Sequence, residues 1–280
     1  MTRPADLTGD SPQIAFTSPP AVEVALAVGF QPLATLGTVE LIRLWDSKFS
    51  RVFPKVQEQP RVEMAIEQFG PPSSLPSFRF ELMQAPPLPR LWFLNDDESE
   101  LLQVQNNWFA RNWRQRDSGP EYPHYPNIRR PFESDLTNII EHIQKAGLGT
   151  FRPNQCELTY INHVAFEATA PAHLRDVLAV FARRPPTGPL GEPESVRAAL
   201  QWVMTVAGEP VGRLHMTAEP AIRQTDMKPV TVLTMTARGR PLGDGLDGVL
   251  SFLDLAHDYV VRSFVALTTE RMHDTWGLKS

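Results

Sequence analysis

Apolar positions recur along this chain in two similar rounds. Residues 21–31 alternate, with Val22, Val24, Leu26 and Val28 on one face, which predicts a strand. Residues 40–53 place Ile42, Trp45, Phe49 and Val52 at three- and four-residue spacing, which predicts a helix ended by Pro54. Residues 78–83, 90–95 and 101–109 read as three strands, with Asp96-Asp97-Glu98 as the turn between the last two. Residues 132–146 read as a second helix with Phe132, Leu136, Ile139 and Ile143 inward. Pro131 suits its first turn and Gly147 its C′ position.

The pattern then restarts. Residues 155–166 form a strand with Cys156, Leu158, Tyr160 and Asn162 on one face. Residues 171–181 form a short helix with Leu174, Val177, Leu178 and Phe181 inward, and 183–194 a proline-glycine loop. Residues 196–207, 211–222 and 230–238 are three strands, the first two joined by a turn at Gly208-Glu209-Pro210. Residues 246–276 form the longest helix, striped by Phe252, Ala256, Val260, Phe264 and Leu267.

Both rounds read strand, helix, three strands, helix. The fold class is therefore α+β, with a polar, mobile tail over 1–18 and two halves over 19–150 and 151–280. Consecutive hairpin-linked strands favour antiparallel pairing, and the helices would cover one face. Two such halves could join into one curved sheet. That order resembles TATA-binding-like and helix-grip architectures at the level of fold, which carries no function with it.

Composition narrows the function. The net charge of −5 lacks the basic field of a dedicated duplex-DNA binder. A single cysteine, Cys156, rules out a disulfide within one chain and fits a reducing, cytoplasmic compartment. The opening residues lack the apolar run of a signal peptide. The longest mostly apolar run, residues 21–30, includes Glu23 and falls far short of a membrane span. A soluble protein with no membrane contact is expected.

The most suggestive stretch is residues 101–116, LLQVQNNWFARNWRQR. Read as one strand, it sets Leu102, Val104, Asn106 and Trp108 on one face and Gln103, Gln105, Asn107 and Phe109 on the other. Arg111, Asn112, Trp113, Arg114 and Arg116 follow, then Tyr122, His124, Tyr125, Arg129 and Arg130. Arginine among aromatics suits a protein-binding hot spot. It also suits stacking on bases and neutralising phosphates. The competing reading is internal: Trp113 in the core and Arg114 paired with Glu121 or another carboxylate.

Other candidates are weaker. His257 borders the stripe of the last helix, where it could be a general base or a satisfied core-edge side chain. His273 lies sixteen residues on, out of reach of a shared ligand if the helix is continuous. Asn162 and His163 interrupt an apolar strand. Asn162 is read as bonding across the two halves, with a ligand cleft as the alternative. The remaining histidines show no metal spacing, and there is no HExxH, GxSxG or GxxxxGK[ST] motif. Residues 239–248, GRPLGDGLDG, precede a helix, but Asp244 and Asp247 would repel phosphate. No metal and no cofactor is called for.

Several strings taken together resemble a sporadically distributed, functionally uncharacterised bacterial protein family: PPAVEVALAVGF, QVQNNWFARNWR, YPHYPNIRRPF, CELTYINHV and LAHDYVVRSFVALTTERMHDTW. The likeness runs from Pro19 to Trp276 and implies one architecture, without an activity. The expected function is non-catalytic binding in a bacterial regulatory, toxin–antitoxin or defence setting. The expected contact set is Gln103, Gln105, Asn107, Arg111, Asn112, Trp113, Arg114, Tyr122, Tyr125, Asn162 and His257. The expected partner is another protein, with an oligomer possible. The alternatives are a nucleic-acid or nucleotide binder, which the net charge disfavours, and an enzyme of unfamiliar type using His257 or His163.

Overall fold

The alternating stretch that begins at Leu101 is two strands, not one. In the computed structural model, which describes residues 14–69, 88–116, 121–165, 174–181 and 195–279, the chain reverses at Asn106-Asn107. The elements in chain order begin with β1 (Ala15–Phe16), β2 (Ala21–Phe30) and α1 (Thr38–Leu44), which continues as one π-turn over Trp45–Phe49. Next come β3 (Lys55–Gln59), β4 (Arg90–Leu94), β5 (Glu100–Gln105), β6 (Trp108–Arg114) and α2 (Tyr125–Lys145). The second round comprises β7 (Pro153–Ala165), α3 (Leu174–Val177) with a 3₁₀ turn over Ala179–Phe181, β8 (Ala198–Val206), β9 (Glu209–Arg223) and β10 (Lys228–Gly239). It closes with α4 (Gly245–Leu267), α5 (Glu270–Trp276) and β11 (Leu278–Lys279).

The fold is mixed α+β around an open antiparallel sheet of nine strands, ordered β3-β4-β5-β6-β2-β7-β10-β9-β8. Each round pairs alike: β4-β5-β6 closes on β2, and β8-β9-β10 closes on β7. The chain divides into two compact units. One is Ala25–Glu157 with Gly239–Leu253; the other is Met1–Val24, Leu158–Arg238 and Asp254–Ser280. The divide runs through β2, β7, the end of β10 and α4 rather than through loops.

In the first of these units, one sheet face is apolar. Leu91 and Phe93 pair with Val104 and Leu102, which in turn pair with Phe109 and Arg111. Paired residues share a face, so this face collects Leu91, Phe93, Leu102, Val104 and Phe109. Helix α2 covers it through Phe132, Leu136, Ile139 and Ile143, all fully buried, as the periodicity predicts. Phe109 and Phe132 stack at 5.4 Å. α2 starts seven residues earlier than expected. Pro126, at its first turn, carries the preset φ that a helix start needs, which leaves Pro131 inside the helix. Gly147, at φ 65°, takes the left-handed C′ position.

The first helix differs from expectation in which side faces in. Leu41, Leu44, Phe49 and Phe53 are buried, while Ile42 is 39% and Val52 60% exposed. The π-turn adds a residue to the turn and so rotates the inward face. β3, with the polar sequence KVQEQ, carries no apolar alternation to betray it. The strand expected at 78–83 lies outside the described residues.

In the other unit, residues 15 and 16 are not a mobile tail: Ala15 and Phe16 pair with Lys279 and Leu278. Phe16 packs edge-on against Phe264 at 5.5 Å and Trp276 at 6.2 Å. Residues 1–13 lie outside the described residues. The hairpin turn sits at Ala207-Gly208, both at positive φ, one step earlier than expected. The long final helix breaks at Thr268-Thr269. There Thr268 Oγ1 donates back to the Phe264 carbonyl at 2.6 Å, and Thr269 N–H donates to the Val177 carbonyl at 3.0 Å. Thr268 bonds back within its own helix, whereas Thr269 turns both its N–H and its Oγ1 to carbonyls of another segment, Oγ1 donating to Asp176 at 2.7 Å. Of the short helix expected at 171–181, residues 174–181 are described and bury Leu174, Val177 and Leu178, with Phe181 half-buried. The loop expected at 183–194 is outside the described residues. No described helix is long and apolar enough to cross a membrane.

Phe132→Ala should cost about 3–5 kcal/mol, because it opens a cavity under a fully buried ring stack. Urea unfolding of the variant beside the parent measures it; a loss under about 1 kcal/mol would show that this core does not depend on the stack.

Candidate functional site

A two-residue turn shifts the parity of the strands it joins. Val104 pairs with Phe109 and Gln105 with Trp108. Even positions of β5 therefore share a face with odd positions of β6. Phe109 joins Leu102 and Val104 under the helices, and Trp108 joins Gln103 and Gln105 on the opposite face, which reverses the single-strand assignment of Trp108 and Phe109.

The face away from α2 is polar and aromatic. Trp92 pairs with Gln103 and Gln103 with Ala110, so these side chains stand in one row. Gln103 is the hub. Its Oε1 accepts from Arg90 Nη1 at 2.7 Å and from Trp92 Nε1 at 3.0 Å, and its Nε2 donates to Asn112 Oδ1 at 2.7 Å. The Arg90 and Arg114 guanidinium carbons lie 5.4 and 5.0 Å from the Trp92 ring centre, and Arg90 lies 6.0 Å from that of Trp108. These are cation–π distances. Burial holds the Arg90 guanidinium below its ordinary pKa. Gln103 and Asn112 are buried, while Arg90, Trp92, Trp108 and Arg114 are half-exposed.

The neighbouring part of this face is covered by an extended strap, residues 61–69. Gln105 treats Val62 as a strand partner would: its Oε1 accepts from Val62 N–H at 3.2 Å and its Nε2 donates to the Val62 carbonyl at 3.0 Å. Nε2 also donates to Asn107 Oδ1 at 2.7 Å. Arg61 donates to Asn106 Oδ1 at 2.8 Å, and Glu67 N–H to Gln155 Oε1 at 3.3 Å. The amides in this row therefore satisfy a crossing backbone. The Met64 side chain lies where a Cβ on Gly29 would stand, at 1.8 Å from its Cε.

Arg111 and Trp113 point the other way, under the helices. Arg111 is buried, with Nη1 on Asp135 Oδ2, Nη2 on Glu100 Oε2 at 2.7 Å, and its guanidinium 5.6 Å from the Phe53 ring centre. Burial raises the Asp135 carboxyl to about 6, with Arg111 opposing the rise. Trp113 is buried and meets Tyr122 edge-on at 5.5 Å; Tyr122 in turn lies 5.2 Å from His124. Among the described residues the Trp113 indole N–H has no hydrogen-bond partner. Tyr125 is buried at the start of α2. Arg116 reaches the Glu98 carbonyl at 3.1 Å.

The contact set read from sequence is thus divided. Gln103, Asn112 and Arg114 share the polar-aromatic row, and Gln105 and Asn107 lie beside it under the strap. Arg111, Trp113, Tyr122 and Tyr125 belong to the helix side. Asn162 and His257 belong to the other unit. Asn162 Nδ2 donates to the Leu233 carbonyl at 3.0 Å on the adjacent strand β10, a bond made inside one unit rather than across the halves. His257 Nδ1 meets Tyr160 Oη at 3.0 Å, and burial depresses the imidazole to about 4. His273 bonds Thr268 Oγ1 at 2.9 Å. Burial also lowers the His163 imidazole, with Arg223 adding to the fall.

Sequence reasoning missed Arg90, Trp92, Trp108 and Arg61 as site residues. The signal was present in RLWFL, where Arg90 and Trp92 alternate with Leu91 and Phe93, but their partners become visible only once the parity shift is known. A groove of about 470 Å³ lies elsewhere in this unit, lined by residues including Thr137, Glu141, Gln144, Phe151 and Gly245, with neither His163 nor His257 in its wall. Among the described residues no cluster of three or more His, Cys, Asp or Glu could hold a metal ion. No protein-family model matches the chain, and no curated protein matches it significantly.

Asp135 fixes the sign of one pH effect. Its folded pKa stands above its ordinary 3.8, so the folded state binds a proton that the unfolded chain has released. The associated stability is complete below about 4 and is lost as pH rises through about 6. Asp135→Asn should flatten the stability profile across that window, read by thermal unfolding at stepped pH; an unchanged slope would assign it to other groups. Arg111→Ala leaves the Asp135 carboxylate buried without its cation and should cost about 3–5 kcal/mol at neutral pH.

Proposed function

We propose that this protein binds a protein partner, without catalysis, through the polar-aromatic face of β4, β5 and β6. The observation that carries this reading is the row Arg90–Trp92–Gln103–Asn112 with Arg114 and Trp108 at its sides. Half-exposed indoles and guanidiniums held in fixed positions by a buried amide are the side-chain types that dominate binding hot spots. Fixing them beforehand lowers the ordering cost of association. The amides beside this row already bond one extended segment, the 61–69 strap, so the face suits extended backbone as well as side chains.

A bacterial regulatory, toxin–antitoxin or defence role in the cytoplasm is part of the proposal. Its support is the sequence resemblance and the single buried cysteine. The same row could stack bases, and the net charge of −5 is what ranks that reading second.

Native capture of the tagged chain from its own cells, followed by mass spectrometry, tests the proposal. A stoichiometric protein partner is expected, lost on Arg90→Ala or Trp92→Ala while both variants keep the parent's unfolding midpoint. Trp113→Ala should instead lower that midpoint, because its ring is core. A partner that survives both face variants would sink the assignment. Co-purified nucleic acid, with affinity falling steeply as salt rises, would install the second reading in its place.

A further inference from the structure

A carboxamide that bonds both the N–H and the carbonyl of one residue recognises backbone, whatever side chain that residue carries. Gln105 holds Val62 in this way. Gln155 makes half of the same contact at Glu67, accepting from its N–H at 3.3 Å. Between the two, the Met64 thioether lies over Gly29, in the space that a Cβ there would fill. These three points stand on β5, β7 and β2, in the strand order β5-β6-β2-β7, so the strap runs across the strands. Three strand gaps of about 4.8 Å make roughly 14 Å, within the roughly 17 Å that five extended residues reach. All of these residues belong to one compact unit.

The track beneath is more completely built than the strap that lies on it. Gln105 is 0% and Gln155 2% exposed. Of residues 61–69 none is buried and none lies in a helix or strand, and Ile66 is 55% exposed. A segment with so little apolar burial sits at the low-stability end of a fold. The track also offers more than the strap takes. Among the described residues, Gln155 Nε2 and Asn154 Oδ1 have no hydrogen-bond partner, although both atoms are shut off from water. Asn154 Oδ1 stands 3.1 Å from the position of a Gly29 Cβ, at the wall of the pit that takes Met64. A donor and an acceptor left over beside a crossing chain are what a further peptide group would satisfy.

We infer that this track is a binding site for an extended segment of a partner protein, and that the strap occupies it in cis. The inference rests on the reading of this sheet face as a partner surface. The segment it selects sets an unbranched apolar side chain, methionine above all, over Gly29, with peptide groups two residues before and three after it on Gln105 and Gln155. A tethered segment competes at an effective concentration on the order of 1 mM, so the incoming one must make additional contacts. The polar-aromatic row supplies them. Gln103 and Gln105 are two residues apart on one face of β5, about 7 Å. Among the described residues none of the strap bonds Arg90 or Trp92. A segment lying over both track and row gains contacts that the strap lacks.

Fluorescence anisotropy of a labelled peptide with the strap's own sequence, PRVEMAIEQF, titrated with the full chain, tests this. The strap docks in cis, so the peptide should bind an opened track with a dissociation constant of about 1 mM or below. Val62→Pro opens it by deleting the N–H that Gln105 accepts. The peptide should bind this variant at least roughly tenfold tighter than it binds the parent, whose own strap competes. That affinity should be lost when the peptide carries Met64→Asp, and when the variant also carries Gln105→Leu. No binding to the folded Val62→Pro variant up to about 1 mM overturns the proposal. So does binding that ignores Met64→Asp in the peptide. Should Val62→Pro fail to fold, Met64→Asp in the chain takes its place; a chain that neither change leaves folded needs its strap as core, and the proposal falls. Arg90→Ala separates this inference from the reading beneath it. It should leave peptide binding unchanged while abolishing capture of the protein partner, so either can fail with the other intact.

Discussion

The odd sum of each residue pair across the Asn106-Asn107 turn decides what each side of this unit can do. Because Val104 meets Phe109, every second residue of β6 is committed to the helix side and the others to the opposite face. The sequence FARNWR then sorts itself. Phe109, Arg111 and Trp113 go under α2, while Ala110, Asn112 and Arg114 go out. A one-residue slip would exchange the two sets and put Asn112 against Phe132. The α2 core, the buried ion group and the polar-aromatic row therefore rest on one turn.

The two faces resolve their polar groups by different means. Under the helices Arg111 stands between Asp135 and Glu100, so one cation ties β6 to α2 and to β5. Such a pair specifies an arrangement more than it stabilises it, since taking its charges out of water offsets much of their attraction. On the other face amides do most of the joining. Gln103 and Gln105 spend both ends of their carboxamides on neighbours, with the Arg90 guanidinium supplying a charged donor to Gln103. The arginines there lie over indole rings and keep part of their surface in water.

Much of the fold was legible in the sequence. The alternation of β2 and β7, the α2 stripe at Phe132, Leu136, Ile139 and Ile143, and the β8–β10 strands follow from period alone. What period cannot show is a turn that preserves alternation. Asn106-Asn107 hides inside LLQVQNNWFA because polar turn residues occupy positions where a strand would also accept them. A π-turn rotated the inward face of the first helix for a comparable reason: one added residue is invisible to a spacing rule. The candidate site was half legible. Composition pointed to arginine and tryptophan, but grouping Arg111 and Trp113 with Asn112 and Arg114 ignored that neighbours along a strand point apart. Their true companions, Arg90 and Trp92, come from another strand.

The strap over the sheet has a consequence for how this chain can vary. Met64 lies on Gly29 so closely that the glycine's missing side chain is part of the fit. Residues 29 and 64 are therefore not independent positions. A side chain at 29 demands a shorter or displaced one at 64, and a bulkier one at 64 presses on the β2 backbone. The two positions hold one shared volume, thirty-five residues apart in sequence, and an exchange harmless at either place depends on the occupant of the other.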